Sequence, residues 1–170
     1  MPVATRSSPA HNRESAYSAS AERFDPAEAA DLRRRRQRAL TETLLDRAEH
    51  LPQDDRALLE SVYREGAPVS GLAELLNTSA RSLRRRVRRL VQRVLSEQYV
   101  FVARRRVEWS PTRRRVAEAC VLGGRSLREA AADLKLSLHA VRRHADAVHA
   151  MYEAERDARR SASNAAGART

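Results

Sequence analysis

The sequence predicts an all-α protein, and three observations lead to that fold class. Aromatic residues make up only 4% of the 170 residues, so aliphatic side chains must form the core. Glycine and proline are few, and apolar residues recur at the spacing of an amphipathic helix. Ser, Asp and Pro stand where these stretches begin and Gly where two of them end, as helix caps require. These features favour helices packed on helices.

The two ends of the chain lack the helical period. Residues 1–24 and 159–170 are rich in Ser, Ala and Arg, which predicts a disordered tail at each end. Asp25-Pro26 is typical of a helix start and predicts a basic helix over 25–50, packed across the first three-helix unit. Its apolar stripe is formed by Leu40, Leu44, Ala48 and Leu51, and its mostly solvated basic surface by Arg33–Arg36 and Arg38.

Residues 51–97, here called the first repeat, carry three predicted helices. The first lies between Pro52 and Gly66, the second covers 70–76, and the third runs from Ala80 to about Glu97. Asn77-Thr78-Ser79 has the composition of a turn that ends in a helix cap. The side chains expected to face inward are Leu58, Leu59, Val62, Leu72, Ala73 and Leu76.

Residues 110–158, here called the second repeat, match the first at a constant offset of 58 without a gap. The matched pairs are Leu58 with Val116, Val62 with Cys120, Gly66 with Gly124, Val69 with Leu127, Ala73 with Ala131, Leu76 with Leu134, Ser79 with Ser137, Leu83 with Val141 and Arg84-Arg85 with Arg142-Arg143. The agreement indicates a tandem duplication of one three-helix unit. Residues 98–109 are predicted to be a linker, in which Tyr99 to Val102 either continues the helix or packs as an extended segment.

Each repeat has the layout of a helix-turn-helix: a short helix, a turn ending in a capping Ser, then a long helix. The small Ala73 and Ala131 let the two helices cross closely. Leu83 and Val141 fix the crossing angle early in the second helix. The predicted fold is therefore all-α, with tandem three-helix helix-turn-helix units, a preceding helix and disordered termini.

The long helix of the first repeat separates basic from apolar residues. At 100° per residue, its aliphatic side chains share one side and its arginines the other. The net charge of +11 favours a polyanion. Every basic residue except Lys135 is arginine, which a GC-rich genome would also produce, but codon usage has no helical period. A solvated basic face is the alternative, although clustered like charges repel one another and an anionic partner would relieve this.

The long helices, with the Ser caps at their N-termini, are the expected contacts to the major groove and phosphates of duplex DNA. The predicted DNA-binding residues are Ser79, Arg81, Ser82, Arg84, Arg85, Arg88 and Arg89 in the first repeat, and Ser137, His139, Arg142 and Arg143 in the second. The second set is less basic because Asp146 lies among its members, so weaker DNA binding or a protein contact is expected there.

A set of residues in the first repeat resembles region 4, the promoter-reading domain of bacterial sigma factors, and LuxR-type output domains share the plan. The residues are Leu51-Pro52, Arg56, Leu58-Leu59, Tyr63, Gly66, Leu72-Ala73-Glu74-Leu75-Leu76, Ser79, Leu83-Arg84-Arg85 and Val87. The resemblance covers 51–97 well and 110–150 more loosely. It implies that the helix after Ser79 reads the major groove, and that RNA polymerase is a further partner.

The chain also departs from a complete sigma factor. Such a factor has a separate helical domain whose aromatic residues capture melted DNA, whereas residues 1–50 contain only Tyr17 and Phe24 as aromatics. A duplicated regulator in the bacterial cytoplasm, associated with the nucleoid, is therefore expected rather than a protein that melts promoters. The long helices also admit a second reading, a protein-interaction module that binds RNA polymerase or an acidic partner. RNA binding is disfavoured by the shortage of aromatics for base stacking.

Other function classes lack their motifs. There is no phosphate-binding Gly loop, paired-carboxylate motif or HExxH, so neither catalytic residues nor a cofactor are expected. His139, His144 and His149 would lie on different helix faces, so no metal site is expected. Cys120, the single cysteine, is expected on an inner helix face and fits a reducing compartment. No apolar stretch is long enough to span a bilayer.

Overall fold

The predicted all-α fold is confirmed by the computed structural model, which describes residues 26–167. This part of the chain contains eight α-helices and no strand. The helices are α1 (Pro26–Ala48), α2 (Gln53–Tyr63), α3 (Val69–Leu75), α4 (Ala80–Leu95), α5 (Glu97–Arg105), α6 (Pro111–Ala117), α7 (Leu127–Leu134) and α8 (Leu138–Gly167). A 3₁₀ turn, Arg106–Glu108, follows α5, and a π-helical turn, Glu118–Leu122, extends α6. The predicted tail over residues 1–24 lies outside the described residues.

Helix α1 belongs to two compact parts of the chain, which divide after Gln37. Before the division, its side chains from Asp31 onward are exposed, and Arg34 pairs with Asp31 at 2.5 Å. After the division, Leu44 and Ala48 enter the core of the second part. Leu40, predicted to share their stripe, is 53% exposed, so the apolar stripe begins one turn later than expected.

The main core joins the end of α1 to both repeats. Its buried side chains include Leu59 of α2, Leu90 and Val94 of α4, and Val148 of α8. A smaller cluster of Val116, Ala130 and Val141 lies within the second repeat alone. The aliphatic core expected from composition is therefore present, but it is unequally divided between the repeats.

The predicted linker over 98–109 is a helix for most of its length. Ser96 leaves the helical conformation and its Oγ accepts a hydrogen bond from Tyr99 N at 3.2 Å, so α4 ends at Leu95 and α5 begins. Tyr99, Phe101 and Val102 are buried in the main core. Their burial explains why this segment is neither a continuation of α4 nor an extended connection.

The predicted disordered tail is also helical as far as Gly167, because α8 continues through residues 159–167. Within this stretch Arg159 pairs with Glu155 one turn earlier, and Ser161 Oγ donates to the carbonyl of Asp157 at 3.0 Å. The segment contains neither proline nor an internal glycine that would end a helix. The Ser-, Ala- and Arg-rich composition of this segment did not indicate that α8 continues through it.

Backbone details recur at the same offset of 58 residues as the sequence. Helices α2, α3 and α4 begin 58 residues before α6, α7 and α8. The left-handed residues Gly66 and Asn77 (φ 69° and 48°) correspond to Gly124 and Lys135 (65° and 54°). Three further hydrogen bonds also match: Ala67 N to Ser61 O with Arg125 N to Ala119 O, Thr78 N to Ala73 O with Leu136 N to Ala131 O, and Leu83 N to Ser79 O with Val141 N to Ser137 O.

Burial agrees less completely than the backbone. Leu58 and Val116 are both buried, as are Leu83 and Val141. Leu76, expected to be buried, is instead 53% exposed, because α3 has already ended at Leu75 and the chain turns there. Its partner Leu134 is half-buried at the end of the slightly longer α7.

Candidate nucleic-acid interface

The N-terminus of α4 is organised by its Ser cap. Ser79 has an extended backbone, and its Oγ accepts a hydrogen bond from Ser82 N at 3.1 Å. The Ser79 hydroxyl also donates to Ser82 Oγ at 2.9 Å. Both predicted serines are exposed, and each is already engaged with the other in holding the first turn. Their oxygens can still accept a bond from an external donor, because a hydroxyl oxygen has two lone pairs.

The two faces of α4 differ completely in chemistry. Leu83, Val87, Leu90 and Val94 are buried. All five predicted arginines of this helix are exposed: Arg81, Arg84, Arg85, Arg88 and Arg89. Helix α4 contains no Asp or Glu. The exposed face is thus a strip of uncompensated positive charge fixed in place by the packing of the opposite face.

The remaining two arginines of α4 are tied to other helices. Arg86 Nε and Nη2 donate to Asp55 Oδ1 of α2 at 3.0 and 2.5 Å. Arg93 Nη1 donates to the carbonyl of Gly123 at 3.0 Å, in the second repeat. By contrast, the five predicted arginines have no acceptor among residues 26–167. The helix therefore separates arginines that hold the fold from arginines that face outward.

The corresponding turns of α8 have the same plan with less charge. Ser137 Oγ accepts from Ala140 N at 3.1 Å, and Val141 is buried beneath this first turn. His139, Arg142 and Arg143 are exposed and have no acceptor within the described part of the chain. Asp146 is exposed four residues after Arg142, where it reduces the positive potential. All eleven predicted site residues thus lie on α4, α8 and their caps.

An apolar cleft, which sequence reasoning missed, borders the arginine strip of α4. It has a volume of about 310 Å³ and contains Arg84 and Arg88 at its polar side. Its apolar lining consists of Val62, Tyr63, Val69, Val87 and Val91. Tyr63 is 38% exposed, the one hint of this cleft that an exposed aromatic on a helix gives. The cleft is a place where an apolar side chain could insert between two cations.

Burial affects the thiol of Cys120 and the hydroxyl of Tyr99. Cys120 is half-buried, and burial raises the pKa of its thiol, which disfavours the reactive thiolate. Burial raises the pKa of Tyr99 to about 12, and its hydroxyl donates to the carbonyl of Arg47 at 2.9 Å. Residues 26–167 contain no cluster of three His, Cys, Asp or Glu side chains suited to a metal ion. No helix in this range combines the length and apolarity needed to cross a membrane.

The chain was compared with models of protein families, with curated proteins and with solved structures, and none of the three comparisons found a match.

Proposed function

We propose that this chain is a sequence-specific, duplex DNA-binding transcription regulator, similar to region 4 of sigma factors, which acts at the nucleoid in the cytoplasm. The observation that carries the proposal is the set of five outward arginines on α4 that have no acceptor within residues 26–167. Helix α4 packs against α3, in the order of a helix-turn-helix, and would enter the major groove. The role is binding rather than catalysis.

The chemistry of arginine supports DNA over other polyanions. Its planar guanidinium donates two parallel hydrogen bonds to guanine O6 and N7 or to a phosphate. Holding five such groups on one helix costs repulsion, which phosphates would offset. Leu83 and Val87 bury the opposite face, so the side chains are presented on a fixed element rather than on a mobile loop.

The salt dependence of binding tests the proposal. Each phosphate contact contributes roughly 0.9 to the slope of log affinity against log salt concentration. We expect a slope steeper than about −3 for the full chain on random duplex DNA, together with tighter binding to a selected sequence. A slope near zero would exclude the proposal.

A double substitution tests the face. Arg84→Ala with Arg85→Ala should weaken duplex binding by about a hundredfold, since each arginine contact contributes about 1–3 kcal/mol. The matched control is Arg104→Ala with Arg115→Ala, which removes the same charge from exposed positions on α5 and α6 that also have no acceptor within residues 26–167. Helicity by circular dichroism should be unchanged in both. Equal loss in the two variants would mean that net charge, rather than the α4 face, determines binding.

A second candidate function is docking of RNA polymerase or another acidic protein. The cleft beside Arg84 and Arg88 favours it, because an apolar side chain flanked by carboxylates would fill the cleft and pair with both cations. Tyr63→Ala should weaken such docking, because Tyr63 lines the cleft from α2, whereas it removes no predicted DNA contact and adds no charge beside Arg84 and Arg88. Loss of an acidic partner with DNA binding retained would support this candidate.

A further inference from the structure

We infer that the two repeats act as one rigid reader of a bipartite duplex, with α4 on one half-site and α8 on the other at a single fixed separation. The inference rests on the proposed function and goes beyond it by specifying the architecture of the DNA site. It is carried by two observations: the recurrence of the backbone at an offset of 58 residues, and the contacts that tie the repeats together.

The recurrence gives α8 the same presentation as α4. The cap bonds Ser82 N to Ser79 Oγ and Ala140 N to Ser137 Oγ are both 3.1 Å long. The turn before each cap places a non-glycine residue in the left-handed region, Asn77 in one repeat and Lys135 in the other. L-residues adopt this conformation at a cost, so its occurrence at equivalent positions marks one shared turn design. The first turns of α8 therefore present the same backbone geometry to a groove as α4 does, with fewer charges.

The first tie between the repeats is made by Arg93. Its guanidinium donates to the Gly123 carbonyl at 3.0 Å and lies against Gly124. A methyl group on Gly124 would overlap this guanidinium, so the absence of a side chain leaves room for it. Gly123 and Gly124, which follow the π-helical turn of the second repeat, therefore also accommodate the Arg93 side chain of α4.

The second tie is α5, which occupies most of the predicted linker over 98–109. Phe101 contacts Trp109 and Tyr152, with both ring-centroid distances 5.8 Å. Tyr152 of α8 donates to Glu97 at 3.3 Å, and Arg105 pairs with Glu155 of α8 at 3.3 Å. α5 is thus attached to α8 through its core side and through its surface. Residues 38–167 lie within a single compact part of the chain.

A rigid connection has a measurable consequence. Two modules on a flexible linker tolerate a range of half-site separations, because the linker adjusts. Two helices on one body tolerate only one, and inserting about 5 base pairs turns the second half-site to the opposite side of the duplex. Binding of one repeat to its half-site would then not strengthen the binding of the other repeat.

The experiment is selection of binding sites from a random duplex library with the full chain. We expect two conserved blocks at one separation. Insertion of 5 or 10 base pairs between them should lower affinity about a hundredfold, towards that of a single block. Arg142→Ala with Arg143→Ala should select the first block only, and reduce the salt slope by roughly 1.8. The variant Arg93→Ala should lessen the dependence of affinity on spacing, whatever its effect on affinity itself.

The outcomes separate the two proposals. A single conserved block, unaffected by changes in α8, would overturn the bipartite inference and leave the α4 proposal standing. Equal affinity at all separations would overturn rigidity, and one chain bridging two duplexes would overturn the binding of both helices to one duplex. Absence of binding to any duplex would remove the proposed function, and the inference with it.

Discussion

The two repeats share a backbone but differ in charge and in the cores on which they rest. Helix α4 carries five outward arginines without acceptors in the described chain, whereas the first turns of α8 carry His139, Arg142 and Arg143 beside Asp146. The first repeat contributes Leu83, Val87 and Leu90 to the main core. The second builds a separate cluster around Val116, Ala130 and Val141. The backbone plan of the unit therefore does not depend on its surface charge.

This difference indicates which positions determine the structure of the three-helix unit. The Ser caps of α4 and α8 and the left-handed turn residues keep their geometry in both repeats, because each satisfies a backbone requirement that has few solutions. Exposed positions have no such requirement, and there the repeats differ most. Three pairs of substitutions and one single substitution would test this division, beginning with the largest expected effect.

Leu83 and Val141 fix the crossing angle of α4 and α8. Truncating Leu83, which packs in the larger core, should lower the free energy of unfolding more than truncating Val141. Leu83→Ala removes a side chain that is 2% exposed, and it should lower the free energy of unfolding by about 2–5 kcal/mol. Val141→Ala should cost about half as much, because the substitution removes fewer carbon atoms from the core and the surrounding cluster is smaller. Urea denaturation measures both. Equal losses would show that the cores support the repeats equally.

The two left-handed glycines form a matched pair. Gly66→Ala meets no atom within 4 Å and should cost only backbone strain, about 1–2 kcal/mol. Gly124→Ala has the same strain and also displaces the Arg93 guanidinium, so roughly 1 kcal/mol more is expected from the lost hydrogen bond. In an Arg93→Ala background this excess should disappear. If the excess persisted, it would contradict the packing of Arg93 against Gly124.

The two Ser caps should contribute equally to the free energy of unfolding. Ser79→Ala and Ser137→Ala should each cost about 1 kcal/mol in thermal or urea unfolding, since each cap accepts one backbone N–H bond of equal length. Asn at either position should restore stability. A markedly larger loss at Ser79 would indicate that the bond to Ser82 Oγ adds to the cap.

The smallest effect concerns a cap that only the second repeat has. Ser126 N donates to Glu129 Oε2 at 2.7 Å, and this backbone bond is the main cause that lowers the pKa of Glu129. Pro68 and Gly71 stand at the equivalent positions of the first repeat. Because the folded pKa is lowered, the stabilisation exists above the ordinary value near 4.5 and is lost as the pH falls through the folded pKa. Glu129→Gln should flatten the acid limb of unfolding free energy against pH; an unchanged slope would contradict this.

Local patterns in the sequence predicted the helices of both repeats and the Ser caps of α4 and α8. The starts of α4 and α8 follow Ser79 and Ser137 as expected, since capping depends on residues a few positions apart. The separate helix α5 was not predictable, because its apolar run suits a helix and a strand equally and its burial is decided by α1 and α8. The tie between Arg93 and Gly123 joins residues 30 positions apart, so no local pattern signals it. For DNA contacts, the sequence predicted the outward face, and the structure distinguished Arg86 and Arg93 from it by their partners.

Lys135, the left-handed residue of the second turn, is the single lysine in the sequence and is exposed. Its amine lies two residues before the cap of α8, whereas the equivalent Asn77 before α4 has no amine. An amine-reactive fluorophore will therefore mark the turn of the second repeat and leave that of the first unmarked. The chain thus carries a built-in attachment point from which occupancy of α8 can be followed separately from that of α4.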